Sequence, residues 1–323
     1  MSMLSRVADA LYWMARYSER TENNAHILNV QLLKMLEQSG TEYEYLDDWE
    51  SVLDICASKE EYHEKYGTIR VNLLIDYLLF SEQNSNALLK TLVAVRENAR
   101  ITRDMIPIEL WEVQNAFYLY LKNDITERAK PFPLISLNYF LQSVSKTSMT
   151  ATGLIESSMD RDLPYHFMQI GKWLERMEKT IRMMLITIEH IKLSNLTYEA
   201  ADGTFLLNLT RATETYFKKH HSADLKSVLS FLIVDVRCPR SISFCLNNTK
   251  QALIAIENAH FTSEFSIVFS QLQSLNTMIH KLDINALSVE ETYLAIEKML
   301  TLCIDFSHSF STIYHFHEAV SPN

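Results

Sequence analysis

One pattern of charged residues that could do chemistry occurs twice in this chain. Residues 17–22 read Tyr-Ser-Glu-Arg-Thr-Glu, and residues 173–178 read Trp-Leu-Glu-Arg-Met-Glu. In both copies an aromatic residue stands two places before an adjacent Glu-Arg pair, and a second Glu follows three residues after the first. Each copy lies in a long run without Pro, which predicts that it sits in the middle of a helix. The repetition indicates a role that the two halves share.

The first interpretation of this doubled motif is an ion-pair network between the two halves. If the two long helices cross near the motifs, Glu19 and Arg20 would pair with Arg176 and Glu175. A buried set of pairs fixes the register of two helices more than it adds stability. In this interpretation the motif is structural.

The second interpretation is a ligand or catalytic pocket, because paired charges at the centre of a helix bundle also make polar sites. Glu22 falls on the apolar stripe that runs through Ala15 and Ser18, so at least one carboxylate is expected to point inward. A carboxylate of the motif would then act as a general acid or base, or the arginines would hold a substrate carboxylate. The candidate residues are Glu19, Arg20, Glu22, Glu175, Arg176 and Glu178.

A metal site built on the first motif is not expected. Glu19, Glu22 and His26 stand on neighbouring helical turns, and carboxylate-bridged metal bundles use Glu together with a Glu-x-x-His pattern. Here His26 lies four residues after Glu22, and the second copy has Arg182 at the matching place. An arginine does not ligate a metal, so the sequence predicts no metal.

Two further groups of residues could bind an anion. Arg96, Arg100 and Arg103 are spaced to lie on one helix face, and guanidinium groups bind carboxylates and phosphates. Arg240 and Ser241 stand at a predicted helix start, where backbone N–H groups attract anions. The alternatives are a solvated face paired with acidic neighbours and an ordinary capped helix. We expect that the two groups together hold a peptide carboxylate or a phosphate.

The elements that carry these residues are predicted to be almost wholly helical. The chain has 323 residues with only 5 Gly and 6 Pro, where average usage would give roughly 23 and 16. Sheets and tight turns use Gly and Pro, whereas helices avoid them. The predicted fold class is therefore all-α, a multi-helix bundle. Few glycines also leave little material for a phosphate-binding loop, so no cofactor is expected.

Charge and cysteine content exclude several classes of protein. The net charge is −10 and the basic residues are scattered, which argues against a nucleic-acid partner. Four separated cysteines without a CxxC pair are typical of a reducing compartment. Arg6, Asp9 and Arg16 interrupt the N-terminal apolar stretch, and no apolar run approaches the ~18 residues of a membrane helix. A cytoplasmic protein without a membrane segment is predicted.

Hydrophobic periodicity places the helices and their breaks. It predicts helices over about 3–38, 69–80, 85–105, 134–150, 165–192, 204–218, 222–234, 263–281 and 289–316, a shorter helix from Trp49, one through Trp111 to Tyr120, and one from Cys238-Pro239 to about 258. The predicted breaks are Ser39-Gly40, a cap at Asn84-Ser85, Pro131-Phe132-Pro133, a segment with Gly153 and Pro164, and Asp202-Gly203.

The duplication extends well beyond the Glu-Arg motif. Six residues have an identical residue 154 positions later: Leu53, Glu60, Tyr62, Lys65, Leu78 and Leu92. The two Glu-Arg pairs lie 156 apart, so a single two-residue insertion or deletion reconciles the offsets. Because repeats bury their apolar faces against each other, we predict one domain over residues 1–323. It would consist of two pseudo-repeats, about 1–148 and about 149–323.

The same residues resemble the Alpha-E family of bacterial alpha-helical domains, which is named for its Glu-Arg motif. The resemblance is carried by residues 4–13 (Leu-Ser-Arg-Val-Ala-Asp-Ala-Leu-Tyr-Trp) and 16–23, by 96–100 with Arg103-Asp104, Trp111 and Asn115, by Phe167, Gly171 and 174–176, and by 239–241. The family usually has Arg in place of His26, and Pro and Ser in place of Ser85 and Ala87. The departure at His26 further weakens the idea of a metal site, and the departures at Ser85 and Ala87 favour the second loop, at Arg240 and Ser241, for binding an anion.

What the resemblance implies is mainly a set of partners. Alpha-E proteins look like companions of circularly permuted ATP-grasp enzymes and of transglutaminase-like peptidases. The chemistry of those enzymes is the formation and cleavage of amide bonds. We therefore expect an accessory or interaction domain that serves an ATP-grasp amide ligase, by docking it or by holding its peptide substrate. The alternative is an enzyme of the same system that uses the doubled motif.

Overall fold

The chain is described by a computed structural model over residues 5–37, 42–127, 133–193, 203–257 and 263–314. These residues form fourteen α-helices and no β-strand, so the predicted all-α class is confirmed. The predicted stops at Ser39-Gly40, Pro131-Phe132 and Asp202 lie outside the described residues.

The helices are numbered in chain order. They are α1 Ser5–Glu37, α2 Glu42–Ile55, α3 Lys59–Tyr66, α4 Val71–Phe80, α5 Leu88–Ile101, α6 Ile108–Glu127, α7 Leu134–Ser158, α8 Leu163–Leu193, α9 Thr204–Leu209, α10 Thr213–Phe217, α11 Leu225–Val234, α12 Ile242–Glu257, α13 Ser263–Lys281 and α14 Val289–Ile313. Short 3-10 helices cover Arg103–Met105 and Ile284–Ala286.

The chain divides into two compact units. One consists of residues 13–165, and the other consists of residues 166–323 together with residues 1–12. We call them the 13–165 unit and the 166–323 unit. The single domain and its division into pseudo-repeats near residue 148 remain predictions.

In the 13–165 unit, successive helices pack against one another around an aliphatic and aromatic core. Helix α2 packs on α3 and α4, α4 on α5, α5 on α6, and α6 on α7. Large side chains fill the interior because each helix presents an apolar stripe to its neighbours. The most deeply buried include Leu32, Trp49, Leu53, Tyr62, Leu74, Leu88 and Leu121.

In the 166–323 unit, the most extensive packing is between α13 and α14, and α12 and α11 also lie against α13. An aromatic cluster joins α14 to the first turns of α1, where the ring of Tyr12 lies 5.5 Å from that of Phe310 and its hydroxyl lies 3.1 Å from Ser307 Oγ. Phe167, in the early part of α8, contacts the same Phe310 ring at 6.1 Å.

The two long helices α1 and α8 differ from ordinary surface helices. Along the middle of each, buried residues occur on several sides rather than on one stripe, and many of them are polar. A helix that is buried all round must satisfy its polar side chains internally, because an unpaired buried polar group is costly. Glu19, Glu22 and Glu175 of the doubled motif are therefore held inside the fold.

Several helix boundaries differ from the predictions. Gly153 lies inside α7, and Pro164 lies in the first turn of α8, where proline is tolerated. The predicted helix 204–218 is two short helices, because Arg211 adopts a left-handed φ of 55° between them. No glycine marks this break in the sequence.

Two predicted caps are also wrong. Helix α5 begins at Leu88 rather than near residue 85, and Asn84 turns back onto its own loop instead of capping the helix. Pro239 does not open α12 but precedes it in the loop, and the helix starts at Ile242. Among the described residues, no helix is both long and apolar enough to cross a membrane.

Candidate functional site

The first copy of the motif sits in the buried middle of α1. Glu19 and Glu22 are only 6% and 5% exposed. The side-chain amide of Asn23, one turn after Glu19, donates to Glu19 Oε1 at 3.1 Å. Arg20 is half-buried, and its guanidinium lies 5.6 Å from the ring centre of Tyr17. The prediction of an inward carboxylate is therefore confirmed.

Arg20 reaches out of α1 to the loop that precedes α5. Its Nη1 donates to Asn86 Oδ1 at 3.1 Å, and Asn24, one turn later, donates to the backbone oxygen of Asn86 at 3.5 Å. The loop is also held from within, because Asn84 Oδ1 accepts the N–H of Asn86 and the hydroxyl of Ser58. We call residues 81–87 the first clamped loop.

The second copy of the motif sits in the buried middle of α8. Glu175 is 3% exposed, and Lys179, one turn later, is buried as well. Glu178 is only half-buried. Arg176 lies with its guanidinium 4.8 Å from the ring centre of Trp173, and its Nη1 donates to the backbone oxygen of Pro239 at 3.5 Å.

The loop that Arg176 contacts precedes α12 and is tied down by the same α8 face. Thr180 donates its hydroxyl to the backbone oxygen of Arg240 at 3.1 Å. Residues 235–241 form what we call the second clamped loop. In both units, therefore, the arginine of the Glu-Arg pair and the residue four places later contact the loop before a helix.

Asp235 organises the second clamped loop. Its Oδ1 accepts the backbone N–H groups of Arg237 and Cys238, both at 2.8 Å, and its Oδ2 is paired with Lys219. Partial burial would raise the pKa of this carboxyl, but the hydrogen bonds from Lys219 and from the two backbone N–H groups outweigh it and hold the pKa below its usual value.

Ser241 ends this loop as the cap of α12. The Ser241 hydroxyl donates to the backbone oxygen of Asp235 and accepts the N–H of Phe244 at 3.1 Å. The side chain is completely buried. A serine that accepts an N–H from the first turn is the usual N-terminal cap. Of the two interpretations of Arg240-Ser241, the structure supports a capped helix start for the serine.

The arginine row is not arranged as predicted. Arg96 and Arg100 lie on α5, but the helix ends at Ile101 and Arg103 lies in the following 3-10 helix. The three guanidinium groups therefore do not follow one helix face. The prediction failed because no glycine or proline marks the helix end, whereas Thr102 closes it with its hydroxyl bonded to the Asn98 backbone oxygen.

Instead, Arg96 and Arg103 share an aromatic neighbour on α6. Their guanidinium carbons lie 5.4 and 5.8 Å from the ring centre of Trp111. Arg96 also donates to Asn115 Oδ1 at 3.1 Å and lies 5.1 Å from the Tyr118 ring. Arg96 is thus a packing residue between α5 and α6.

Arg100 is exposed, with 57% of its side chain accessible. Its Nε donates to Glu97 Oε2 at 2.9 Å, and Arg96 pairs with the other oxygen of the same carboxylate. Burial opposes ionisation of Glu97, but its hydrogen bonds from Arg100 and Arg96 lower its pKa. The alternative of an arginine face paired with acidic neighbours describes Arg96 and Arg100 well.

The structure leaves two joint arrangements untested. Pairing of Glu19 and Arg20 with Arg176 and Glu175 joins residues of different units, and so does a common anion site of the arginine row with Arg240 and Ser241. Both stay predictions. Among the described residues, no three His, Cys, Asp or Glu side chains are grouped as a metal site would require.

Sequence reasoning missed the asparagines and the aspartate that hold the two loops. All three residues follow the end of an apolar helix. Asn84 accepts the N–H of Asn86, and Asp235 accepts the N–H groups of Arg237 and Cys238. Asn86 accepts a hydrogen bond from the motif arginine, Arg20. Asn and Asp commonly form such turns. The signal was available as the polar residues that follow α4 and α11, of which only Asn84-Ser85 had been given a role, as a cap.

Comparison with known proteins gives one match. The family model Alpha-E, described as a predicted alpha-helical domain with a conserved ER motif, matches residues 3–315. No curated protein and no solved structure matches the chain. Because the family model covers nearly the whole chain, the chain belongs to the Alpha-E family, which the resemblance of its Glu-Arg motifs had indicated.

Proposed function

We propose that this Alpha-E protein is an accessory interaction domain of a bacterial peptide synthesis or modification system. Its partners in this proposal are an ATP-grasp amide ligase and a transglutaminase-like peptidase. The choice of partners rests on the resemblance of residues 4–23, 96–104 and 174–176 to the family. The choice of an interaction domain over an enzyme rests on the geometry of the doubled motif.

The observation that carries the proposal is the use of the motif arginines as clamps. Arg20 donates to the loop that precedes α5, and Arg176 donates to the loop that precedes α12. Each guanidinium also lies over an aromatic ring. A general acid or base has to reach the reacting atoms of a substrate. Glu19 instead accepts from Asn23 within its own helix. Such a network fixes helix and loop positions.

A second candidate function is an enzyme, and the burial of the carboxylates favours it. Glu19, Glu22 and Glu175 are each less than a tenth exposed. Catalytic acids and bases are often found in such dry surroundings. In this alternative, Glu19, Glu22, Glu175 or Glu178 acts as the general acid or base beside Arg20 and Arg176.

The exposed arginines extend the first proposal to ligand binding. Arg100 and Arg103 lie on the surface at the turn between α5 and α6, and stacking on Trp111 orients the guanidinium of Arg103. Their chemistry suits a peptide carboxylate or a phosphate of a partner-bound nucleotide. Calorimetry with an acidic peptide and with ATP in the presence of the ligase, on wild type and on Arg100→Ala, tests this extension; heat that Arg100→Ala leaves unchanged contradicts it.

We also propose that the chain consists of two pseudo-repeats. Supporting observations occur at the 154-residue offset. Ala57 and Arg211 share a left-handed φ of 52° and 55°, α3 and α10 begin at Lys59 and Thr213, and α4 and α11 cover 71–80 and 225–234. Tyr62 and Tyr216 are both completely buried. A cytoplasmic location is part of the proposal, supported by four free, buried cysteines.

The experiment combines the purified chain with its companion ligase and peptidase. Complex formation is measured by light scattering, and ligase activity by ADP release and by mass spectrometry of the amide product. We expect a complex, and we expect the ligase to turn over faster or to make longer products when the chain is present. The chain alone should not change the peptide.

Glu19→Gln and Glu175→Gln separate the two functions, with Ser81→Ala as the control at a half-buried loop position. A catalytic carboxylate would lose about 10²–10⁴-fold in rate on this change. The interaction proposal expects that any loss follows the loss of thermal stability. A large loss of activity in a variant that melts like wild type would instead establish the enzyme.

A further inference from the structure

A groove that the doubled motif does not involve lies along the α13–α14 hairpin of the 166–323 unit. Its volume is about 620 Å³, within the range of about 300–1,000 Å³ typical of ligand sites. The two helices run antiparallel. Near one end of the hairpin Gln271 on α13 donates to Ser309 on α14, and towards the other end the later α13 residue Lys281 and the earlier α14 residue Lys298 line the same groove.

The floor of the groove is apolar and its edges are cationic. Met278, Leu282 and Leu302 are half-buried at its base, and Lys281 and Lys298 are exposed beside them. Neither lysine forms an ion pair or a side-chain hydrogen bond within the described part of the chain. Elsewhere in this unit, Lys192 and Lys219 pair with Glu290 and Asp235.

The remaining wall is polar and uncharged. Gln273, Ser274 and Thr277 are exposed along one side of α13. Among the described residues, no carboxylate lines the groove, although the chain has a net charge of −10. The groove therefore combines an apolar strip, neutral hydrogen-bonding groups and two cations, a combination complementary to an amphipathic and acidic partner.

The hairpin that forms the groove is held rigidly. Ser288 and Glu291 cap α14 reciprocally, and Ile284 is buried in the 3-10 helix between the two helices. Lys226 of α11 donates to the backbone oxygen of Asn285 at 3.1 Å. A groove on a fixed support binds with less entropic cost than one that must first order.

We infer that this groove docks an acidic amphipathic helix of a protein partner. Its apolar strip would contact residues spaced i, i+3, i+4 and i+7 on that helix, and Lys281 and Lys298 would pair with flanking glutamates. A helical segment fits better than an engulfed small molecule, because exposed residues form most of the lining and the groove is open along its length within the described part of the chain. The inference names the docking surface of the interaction domain and therefore rests on the proposed function.

The test uses a fluorescent model peptide that forms an amphipathic helix with leucines on one face and glutamates beside them. Anisotropy should show saturable binding by the full chain and binding at least tenfold weaker for the same helix with lysines in place of the glutamates. Methyl resonances of Met278, Leu282 and Leu302 should shift during the titration. Equal binding of both peptides, or shifts that do not include these methyls, would overturn the inference.

Variants locate the site. Lys281→Glu/Lys298→Glu should weaken binding at least tenfold, whereas Lys146→Glu/Lys218→Glu, with the same change in net charge at two exposed lysines, should weaken it less than twofold. Thr277→Trp fills the groove without changing its charge and should also abolish binding. Melting curves verify that each variant folds. Equal effects of the two double variants would show that binding depends only on long-range charge, and would overturn the inference. So would methyl shifts in the groove that dodecanoate causes and the peptide does not, because the groove would then bind a fatty acid.

The same variants separate this inference from the proposed function. If Lys281→Glu/Lys298→Glu loses the peptide but keeps the complex with the ligase and peptidase, the groove is not the docking surface and the proposed function stands. If the peptide binds as expected but neither companion protein forms a complex, the proposed function fails and the groove stands as a site for another acidic helix.

Discussion

The two clamped loops have the same place in their units but are held by different chemistry. In the 13–165 unit, Arg20 donates to a side-chain amide, and Asn84 closes the loop. In the 166–323 unit, Arg176 donates to a backbone oxygen, and Asp235 closes the loop with a charged carboxylate. The arginine is common to both, whereas its acceptors are not.

This difference indicates what the motif arginine needs. Since a side-chain oxygen serves in one loop and a main-chain oxygen in the other, the requirement is an acceptor at a given position rather than a particular residue. The residue four places after each motif arginine shows the same tolerance. Asn24 and Thr180 differ chemically, yet each donates to a backbone oxygen of its loop. A position that tolerates such exchange is consistent with a structural clamp.

The largest expected effect comes from the buried residues one turn after each glutamate. Glu175 is followed by buried Lys179, whereas Glu19 is followed by Asn23. We expect Glu175→Ala to lower the free energy of unfolding by about 3–5 kcal/mol, because it leaves a buried ammonium group with less compensating charge. Glu19→Ala should cost about 1–3 kcal/mol, since the neutral side-chain amide of Asn23 loses its acceptor.

Urea denaturation of both single variants and of Glu175→Ala/Lys179→Met measures this difference. The double variant removes both charges and should recover most of the loss. Equal losses in the two single variants would show that the difference between Asn23 in the first copy and Lys179 in the second does not affect the free energy of unfolding.

The next effect concerns the residues that start the two loops. Asp235→Ala should lower the free energy of unfolding by about 3 kcal/mol, because two backbone N–H groups and Lys219 lose their acceptor. Ser81→Ala, at the matching place in the first loop, should change it by less than about 0.5 kcal/mol. A costly Ser81→Ala would contradict the assignment of different supports to the two loops.

The contribution of Asp235 should also depend on pH in a defined direction. Its pKa is lowered in the folded protein, so the stabilisation is complete above the unfolded pKa of about 3.9 and is lost as the pH falls through the folded pKa. The difference between wild type and Asp235→Ala should therefore be constant from pH 6 to pH 8 and shrink below about pH 4. A difference that already shrinks near neutral pH would point to another group.

A gain of stability is expected from the buried amide of Gln31. It is completely buried on α1, and neither polar atom of its side chain has a hydrogen-bond partner among the described residues. Gln31→Leu should raise the free energy of unfolding by about 1–3 kcal/mol. Thr187, at the matching place on α8, donates to the Met183 backbone oxygen, so Thr187→Val should give no such gain. A destabilised Gln31→Leu would show that the amide is needed.

The smallest effect concerns the helix caps that end the loops. Ser241→Ala removes the cap of α12 and should cost about 1 kcal/mol. At the matching place, Ala87 precedes α5 without a side-chain cap, so Ala87→Ser should stabilise by up to about 1 kcal/mol. Thermal melts of both variants measure the pair, and a destabilising Ala87→Ser would show that the two helix starts are not equivalent.

Much of the fold was predictable because composition and periodicity act over long windows. Five glycines and six prolines leave little but helix, and helix α13 runs over the predicted residues 263–281. The failures occur where a single residue decides. Arg211 adopts a left-handed backbone conformation, which is not expected for an arginine. Gly153 stays helical because the surrounding helix outweighs the low helix propensity of glycine.

The candidate site was predictable in its residues but not in their contacts. The doubled motif indicated buried charges, and Glu19, Glu22 and Glu175 are buried. The sequence did not indicate that Arg20 and Arg176 contact the loops before α5 and α12, because those partners lie more than 60 residues away in the chain. Contacts at that distance depend on packing, which periodicity does not encode.

Hydrogen–deuterium exchange of the two clamped loops in Arg20→Ala and Arg176→Ala tests the clamp most directly. The clamp predicts that Arg20→Ala speeds exchange of the Asn86 and Ala87 amides about tenfold or more and leaves residues 235–241 unchanged. Arg176→Ala should do the reverse, at Arg237, Cys238 and Ser241. Exchange as slow as wild type in both loops, together with loss of the ligase-dependent function, would contradict the clamp and assign the doubled motif to a ligand or to catalysis.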